Sequence, residues 1–240
     1  EIEILKEIWF NWAFWWGSDI SLSQFYWIEL NDFAHETAKL SLYLAEHQMN
    51  VEFYNETWIS VVSLPLKLWG NIVCWNATRV DWEEVCPKEE WDEIYLLWNP
   101  PYLWARYQEE SHRKDIASWF YKSAKYIKWI NSKSAFVTTN SINQWEQVIN
   151  LWPEIFSLGL EIDFAYTSFK WQNNEKGNAA VIVAIIWLRN KSKKEKYLFN
   201  NHHKIIANNI NWYLLNWENL FIQKRSNPLS NIPKITRTNP

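Results

Sequence analysis

The sequence predicts an α/β fold in which strands alternate with helices along a mostly parallel sheet covered on both faces. Short apolar runs alternate with amphipathic segments along most of the chain. The chain has 240 residues, of which 48% are hydrophobic and 21% charged. This composition suits a domain with a sizeable core and excludes an intrinsically disordered chain. The longest apolar run, Ala179–Leu188, is too short to span a membrane.

In the first half of the chain, the sequence predicts two short strands, each with a polar residue at or next to its end. Phe25–Leu30 is a short apolar strand, and Ile72–Trp75 is a second. Between them, Asp32–Gln48 carries apolar residues at helical spacing and is predicted as an amphipathic helix capped by Asn31 or Asp32. Two weaker features are a helix tail at Glu1–Ile8 and a short helix that starts at Asp81.

The second half continues the alternation. The predicted strands are Ile94–Leu97, Ala135–Thr139, Leu160–Tyr166 and Ala179–Leu188, and the predicted helices are a long one around Ile116–Ile127 and a second at Gln144–Leu158. Lys191–Lys196 reads as a charged, solvated turn. We predict a catalytic domain over residues 1–199 and, because the end of the chain is rich in proline, a linker over residues 200–240.

The tetrapeptide Asn99-Pro100-Pro101-Tyr102 follows directly after the third strand and carries the clearest chemical signal. Both prolines restrict the backbone, so the turn is stiff and presents a side-chain amide beside a bare carbonyl. The Asn99 Oδ1 and the Pro100 carbonyl can each accept one N–H of a planar exocyclic amine, while Tyr102 stacks on its ring. This arrangement localises the lone pair on the amine nitrogen and aims it at an electrophilic methyl group. A plain proline-rich loop is the alternative.

Two further strand ends, those at Glu29 and Asn76, fit an adenosine-containing cofactor. Ligands of such sheets bind at the carboxyl ends of the strands, and a carboxylate there can accept both hydroxyls of a ribose. Asn76-Ala77 can contact the adenine ring, although a turn asparagine is the more common interpretation. Phe169 and Trp171 are predicted in a loop, either as the second wall of a base pocket or as plain packing.

Other chemistries find little support. The five histidines show no metal-ligand spacing, so we expect no metal. The sequence also has no phosphate loop and no nucleophile elbow. Two cysteines form no disulfide framework, which favours a reducing compartment such as the cytoplasm. The net charge of −3 argues against this chain acting alone as a strong nucleic-acid clamp.

The composition is anomalous in two residue types. The chain has 4 Gly and 20 Trp, whereas glycine alone usually makes up about 7% of a protein. Several Trp occupy places typical of glycine, such as Trp129 after a predicted helix and Trp104 after the Pro-Pro turn. We therefore hypothesise that most are glycines, encoded by a stop codon that is reassigned in the source organism. Some fit genuine tryptophan positions: Trp82, Trp119, Trp152 and Trp171. The alternative is a genuinely Trp-rich protein.

The chain resembles the adenine-specific DNA methyltransferase part of the MmeI-like restriction–modification proteins. The resemblance covers nearly the whole chain and is carried by Ser21–Glu29, Leu44–Asn50, Leu97–Arg106, Phe136–Gln147 and Arg225–Pro233. It implies a Rossmann-like class I methyltransferase fold, S-adenosylmethionine as cofactor and methyl transfer to N6 of an adenine flipped out of double-stranded DNA. By the same resemblance, Asn99–Tyr102 hold and activate the flipped adenine, Glu29 holds the cofactor ribose and Asn76 contacts the cofactor adenine. Leu30 and Ala77 belong to the same cofactor site. In that family glycine occupies the places of Trp27, Trp75, Trp98, Trp104, Trp145 and Trp187.

The sequence also departs from this family. The glycine-rich cofactor motif and the first strand of the sheet are expected upstream of Glu1, and a target-recognition domain is expected after Pro240. We therefore expect an internal fragment of a larger enzyme that by itself binds cofactor poorly and methylates little. Two alternatives remain open: a methyltransferase acting on a protein glutamine or an RNA base, and an inactive remnant that serves as a DNA-binding or assembly module.

Overall fold

We analysed a computed structural model of the chain, which describes residues 21–58, 60, 71–100, 110–171, 181–200 and 203–220. The side chains of residues 110–116, 145–147, 171 and 181 are not part of this description. The predicted helix tail at Glu1–Ile8 lies outside the described residues. The chain divides into two compact units, Glu1–Asp92 and Glu93–Pro240, and each is described by itself.

The first unit pairs two parallel strands through a long helix. Strand β1 spans Tyr26–Glu29, helix α1 spans Asp32–Thr57, strand β2 spans Asn71–Cys74 and the short helix α2 spans Trp82–Val85. The register sets Glu29 opposite Cys74, so both strands end at the same edge. The Asn31 side chain caps α1 by accepting the Ala34 N–H at 3.2 Å, which confirms one of the two predicted caps. Helix α1 runs nine residues beyond the predicted end at Gln48.

The second unit holds a six-stranded sheet with two helices and two hairpins. Its elements are β3 (Glu93–Trp98), α3 (Glu110–Ile127), β4 (Asn131–Thr139), α4 (Trp145–Ser157), β5 (Leu160–Trp171), β6 (Val181–Asn190), β7 (Lys196–Asn200) and β8 (His203–Ala207). The strands lie in the order β3-β4-β6-β5-β7-β8.

This sheet is mixed, which corrects the expectation of a mostly parallel one. β3–β4 and β5–β7 are parallel, whereas β4–β6, β5–β6 and β7–β8 are antiparallel. The reason is that β5–β6 and β7–β8 are pairs of consecutive strands, which pair as antiparallel neighbours, and β6 in turn pairs antiparallel with β4.

The core of the second unit lies between the sheet and helices α3 and α4. Phe120 of α3 stacks on Phe136 of β4 with ring centroids 3.9 Å apart, and Trp152 of α4 packs edge-on to Phe120 at 5.9 Å. All three side chains are fully buried. The Trp152 indole N–H donates to the Ile142 carbonyl at 3.0 Å, so its burial leaves no unpaired donor. This packing joins α3 to β4 and to α4.

A buried ionic cluster joins the four inner strands of the sheet. Arg189 of β6 is 5% exposed and pairs with Glu161 at 2.9 Å and with Asp163, both on β5. Lys196 of β7 contacts Glu161 at 3.0 Å, and Lys133 of β4 contacts Asp163 at 3.1 Å. The cluster therefore links four strands with nearly balanced charge.

The same arginine shapes the charged turn that the sequence placed at Lys191–Lys196. Its guanidinium donates to the Lys194 carbonyl at 2.6 Å and to the Glu195 carbonyl at 3.4 Å. The turn is thus an ordered connection between β6 and β7, and Lys196 belongs to the strand that follows.

The chain continues to pack on the sheet beyond residue 200. β8 pairs with β7, and Ile210, Trp212 and Leu214 are buried. The predicted linker therefore contains a strand and core residues up to Leu214, and Trp212 packs against Phe156 of α4 with ring centroids 5.5 Å apart. The division of the chain into a catalytic domain and a connection to a further domain stays a prediction.

Candidate functional site

Two predicted site residues lie at the carboxyl edge of the first unit. Glu29 ends β1, and Asn76 follows β2 by two residues. The Trp75 N–H donates to the Glu29 carbonyl at 2.8 Å, which holds the two strand ends side by side. The parallel pairing therefore brings together the ends of the two strands that the sequence assigned to the cofactor.

Glu29 is half-buried and its carboxylate turns toward the start of α1. Oε1 accepts the Leu30 N–H at 2.9 Å and lies 3.5 Å from the Asn31 nitrogen. Within the described residues, Oε2 has no hydrogen-bond partner in the protein. One oxygen thus fixes the carboxylate, and the other can accept a hydroxyl group. Leu30 itself is exposed, and its carbonyl oxygen lies 3.8 Å from the Cys74 sulfur.

Asn76 forms a tight turn instead of presenting its whole amide. Its Oδ1 accepts the Thr78 N–H at 2.9 Å and the Thr78 hydroxyl at 2.7 Å. This is the Asx turn that the more common interpretation predicts. Only Nδ2 remains for a ligand, so Asn76 can donate a hydrogen bond to a ring nitrogen but cannot accept one.

Ala77 is buried, and Trp82 holds it in place. The Trp82 indole N–H donates to the Ala77 carbonyl at 2.7 Å, and the Trp82 side chain is buried at the start of α2. Sequence reasoning missed the positioning roles of Thr78 and Trp82. The Asn-Ala-Thr triplet is a signal for the first, but nothing in the sequence pairs Trp82 with a carbonyl five residues earlier.

The acceptor turn begins at the carboxyl end of β3 in the second unit. Asn99 is exposed, and Pro100 is buried immediately after the strand. The role of Asn99 and Pro100 in holding an amine stays a prediction. Pro101 and Tyr102 lie outside the described residues, and their assignment stays a prediction.

Phe169 and Trp171 lie in strand β5, which corrects their predicted place in a loop. Phe169 pairs with Val183 and Trp171 with Val181 across the antiparallel ladder with β6. The prediction ended this strand at Tyr166, but a register shift between Tyr166 and Phe169 lets pairing resume beyond it. The Phe169 ring packs edge-on to Tyr166 at 5.2 Å.

The topology places Phe169 and Asn99 at the same edge of this sheet. β4 runs parallel to β3, and β5 runs parallel to β4 because both are antiparallel to β6. The carboxyl ends of β3 and β5 therefore point the same way, three strand spacings apart, or roughly 14 Å. A side chain from β5 can reach toward Asn99 only across the ends of β4 and β6.

Three potential metal ligands meet at the start of α1. Asp32, His35 and Glu36 bring one ligand atom each within 4.8 Å of one another. Protein partners account for two of them: Glu36 contacts Lys39 at 2.8 Å, and His35 Nε2 lies 3.3 Å from the Ile72 carbonyl. The hydrogen bond from Lys39 lowers the pKa of Glu36 below its usual value. This cluster is explained by contacts within the helix and with β2.

Comparison with known proteins agrees with this architecture. The sequence profile of the family described as "MmeI, DNA-methyltransferase domain" matches residues 1–200. DNA methyltransferase A of Bacillus subtilis (strain 168) is 47% identical over 234 residues, which cover 90% of this chain and 27% of that protein. The solved structure of the Type IIL restriction–modification enzyme MmeI in complex with DNA matches with a TM-score of 0.81 at 32% identity, over 97% of this chain and 34% of that chain.

The sheet and its helices have the Rossmann-like methyltransferase fold, as the sequence predicted. The chain belongs to the family of the MmeI DNA-methyltransferase domain. It spans about a quarter of the length of the curated relative and about a third of the matched structure. Among the described helices, none combines the length and the apolar character needed to cross a bilayer.

Proposed function

We propose that the protein to which this chain belongs transfers a methyl group from S-adenosylmethionine to N6 of an adenine in double-stranded DNA, as part of a restriction–modification system in the cytoplasm. The observation that carries the proposal is the exposed Asn99 amide beside the buried Pro100 at the end of β3. Family membership and the DNA complex of the related MmeI structure support DNA as the substrate over RNA or protein.

At the carboxyl edge of the first unit, one hydrogen-bond acceptor and one donor suit an adenosine. Glu29 Oε2 accepts a ribose hydroxyl, and Asn76 Nδ2 donates to a nitrogen of the adenine ring. Trp82 keeps the Ala77 turn in place beside them. When bound, S-adenosylmethionine supplies a methyl group on a positively charged sulfur, which is already electrophilic, so the transfer calls for no metal.

At the acceptor turn, Asn99 Oδ1 and the Pro100 carbonyl accept the two N–H groups of the adenine amine. These hydrogen bonds keep the nitrogen lone pair out of the ring system and directed at the methyl carbon. With the cofactor bound, the amine nitrogen would form the N–C bond as the C–S bond breaks and would then lose one proton to water. Phe169 and Trp171, together with Tyr102, are the candidates for stacking on the flipped base.

The test is Asn99→Ala in the full-length protein. Loss of one preorganised hydrogen-bonding group at the reacting atom lowers kcat by roughly 10²–10³-fold while cofactor affinity is unchanged. The rate is measured as labelled methyl transfer to double-stranded DNA, and nucleoside analysis of the digested product should give N6-methyladenine.

Asn208→Ala is the matched control. Asn208 is exposed beyond β8, and its backbone carbonyl contacts Lys196, so an alanine keeps that contact. This variant should retain full activity. An Asn99→Ala enzyme that is as active as the control, or a labelled cytosine, RNA or protein product, would contradict the proposal.

A further inference from the structure

Two tryptophans occupy backbone conformations that favour glycine. Trp58, which ends α1, has φ 59° and ψ 15°, and Trp129, after α3, has φ 73°. In this left-handed region the Cβ of an L-residue crowds its own backbone, whereas glycine has no Cβ. Among the described residues, the only other non-glycine residue with a positive φ is Leu214.

The position of Trp129 is equivalent to that of a real glycine elsewhere in the chain. Helix α3 ends at Ile127 and helix α4 at Ser157, and the second residue after each helix is Trp129 or Gly159. Gly159 has φ 84°, and a Cβ added there would meet no atom within 4 Å. The backbone conformation, and not a lack of space, therefore favours glycine at this point. The same helix-to-strand turn carries glycine once and tryptophan once.

The Trp58 and Trp129 side chains gain little to offset this conformation. They are 81% and 79% exposed. Trp58 makes an edge contact with Tyr54 at 6.2 Å, and the Lys128 ammonium lies 4.8 Å from the Trp129 ring. Leu214 differs because its side chain is only 4% exposed, so packing stabilises its left-handed backbone.

Other tryptophans have the contacts expected of genuine ones. Trp82 and Trp152 are buried, and each indole N–H donates to a backbone carbonyl. Trp187 is intermediate: it packs on Phe164 at 5.0 Å, but its buried indole nitrogen has no acceptor among the described residues. Trp82 and Trp152 thus form a class with a structural role, and Trp58 and Trp129 form a class without one.

We infer that positions 58 and 129 carry glycine in the living protein, whereas positions 82 and 152 carry tryptophan. The explanation of this assignment is a reassigned UGA codon. The source organism translates this codon as glycine, whereas a different genetic code translates it as tryptophan. UGG encodes tryptophan in both, so the two structural classes correspond to two codons. The inference stands on backbone geometry and is independent of the proposed function.

The gene and the native protein test it directly. We expect UGA at codons 58 and 129 and UGG at codons 82 and 152, and peptide mass spectrometry of the protein from its source cells should find glycine at the first two positions and tryptophan at the others. Tryptophan in the native peptides at 58 or 129 would overturn the inference. Glycine at 82 or 152 would equally overturn it, because the structural classes would then not predict the residue.

Variants of the full-length protein, made from a synthetic gene, test the physical argument. Trp58→Gly and Trp129→Gly should each raise the Tm of the methyltransferase domain's unfolding transition by about 2–4 °C, the effect of relieving about 1 kcal/mol of strain in a domain of this size. Gly159→Trp should lower it by a similar amount, and Trp152→Gly should lower it further because it empties a core site. A Trp58→Gly or Trp129→Gly protein with a lower Tm than its parent would contradict the assignment.

Discussion

At the scale of single residues, the sequence predicted which side chains occupy the strand ends but not how they are engaged. Glu29 and Asn99 lie directly at the ends of their strands because apolar runs locate a strand end within a residue or two. The bonding of Asn76 depends on the neighbouring Thr78, and the Trp82 contact depends on how α2 folds back. Such contacts arise only after the turn has formed, so residue patterns alone do not predict them.

One residue-scale prediction concerns Tyr95 on β3. Its hydroxyl donates to the Glu93 carboxylate at 2.5 Å, and this hydrogen bond raises the pKa of Tyr95 above the usual value of 10.0. The raised pKa means that the folded state favours the neutral phenol. The stabilisation is therefore present below the ordinary tyrosine pKa and is lost as the pH rises through the raised value.

In Glu93→Gln, we expect the pKa of Tyr95 to fall toward 10.0, as measured by NMR titration of labelled tyrosine rings. Tyr197 is the internal control, since its pKa is raised by its own hydrogen bond to Glu195 and should not change. An unchanged Tyr95 titration in this variant would show that the Glu93 contact is not its cause.

At the scale of elements, the start of α1 was predicted, but its end and the end of β5 were not. The Asn31 cap of α1 was correct, because a side chain that accepts an orphan N–H marks a helix start in the sequence. The end of α1 was predicted too early because its last turns have no clear apolar stripe, and Ala38 is its buried residue. Strand β5 was predicted too short because a register shift interrupts the alternation that identifies a strand.

The element-scale prediction is the stability of α1. Asn31→Ala removes the side chain that accepts the Ala34 N–H and should reduce the free energy of unfolding by about 1 kcal/mol. Chemical denaturation measures the loss. Asn31→Ser, which offers another good capping oxygen, should stay close to the parent protein. Equal losses in the two variants would mean that Asn31 acts through something other than its cap.

At the scale of the whole molecule, the α/β class and the methyltransferase fold were predictable from the alternation of elements and from the family motifs. The mixed order of the second sheet was not, because hydrophobic patterns identify strands without stating which neighbour each one joins. The ionic cluster was also missed. Glu161 and Asp163 read as ordinary polar positions of a half-buried strand, and their common partner Arg189 is distant in sequence.

Arg189 provides the prediction at this scale, since it joins both carboxylates and the turn after β6. Arg189→Met leaves Glu161 and Asp163 buried without their arginine partner and should lower the free energy of unfolding by roughly 3 kcal/mol. Arg189→Lys keeps the charge but not the forked geometry, so its loss should be smaller. Denaturant unfolding followed by fluorescence measures both, and a methionine variant as stable as its parent would contradict this role for the cluster.

The codon for position 58, at the end of α1, has a consequence for the transfer of this gene between organisms. β1 precedes position 58 and its partner β2 follows it, so a ribosome that stops at that codon releases a chain in which β1 has nothing to pair with. A bacterium with ordinary termination rules that acquired the gene would make no working product from it. The reassigned codon would thereby confine production of this protein to hosts that use the same genetic code.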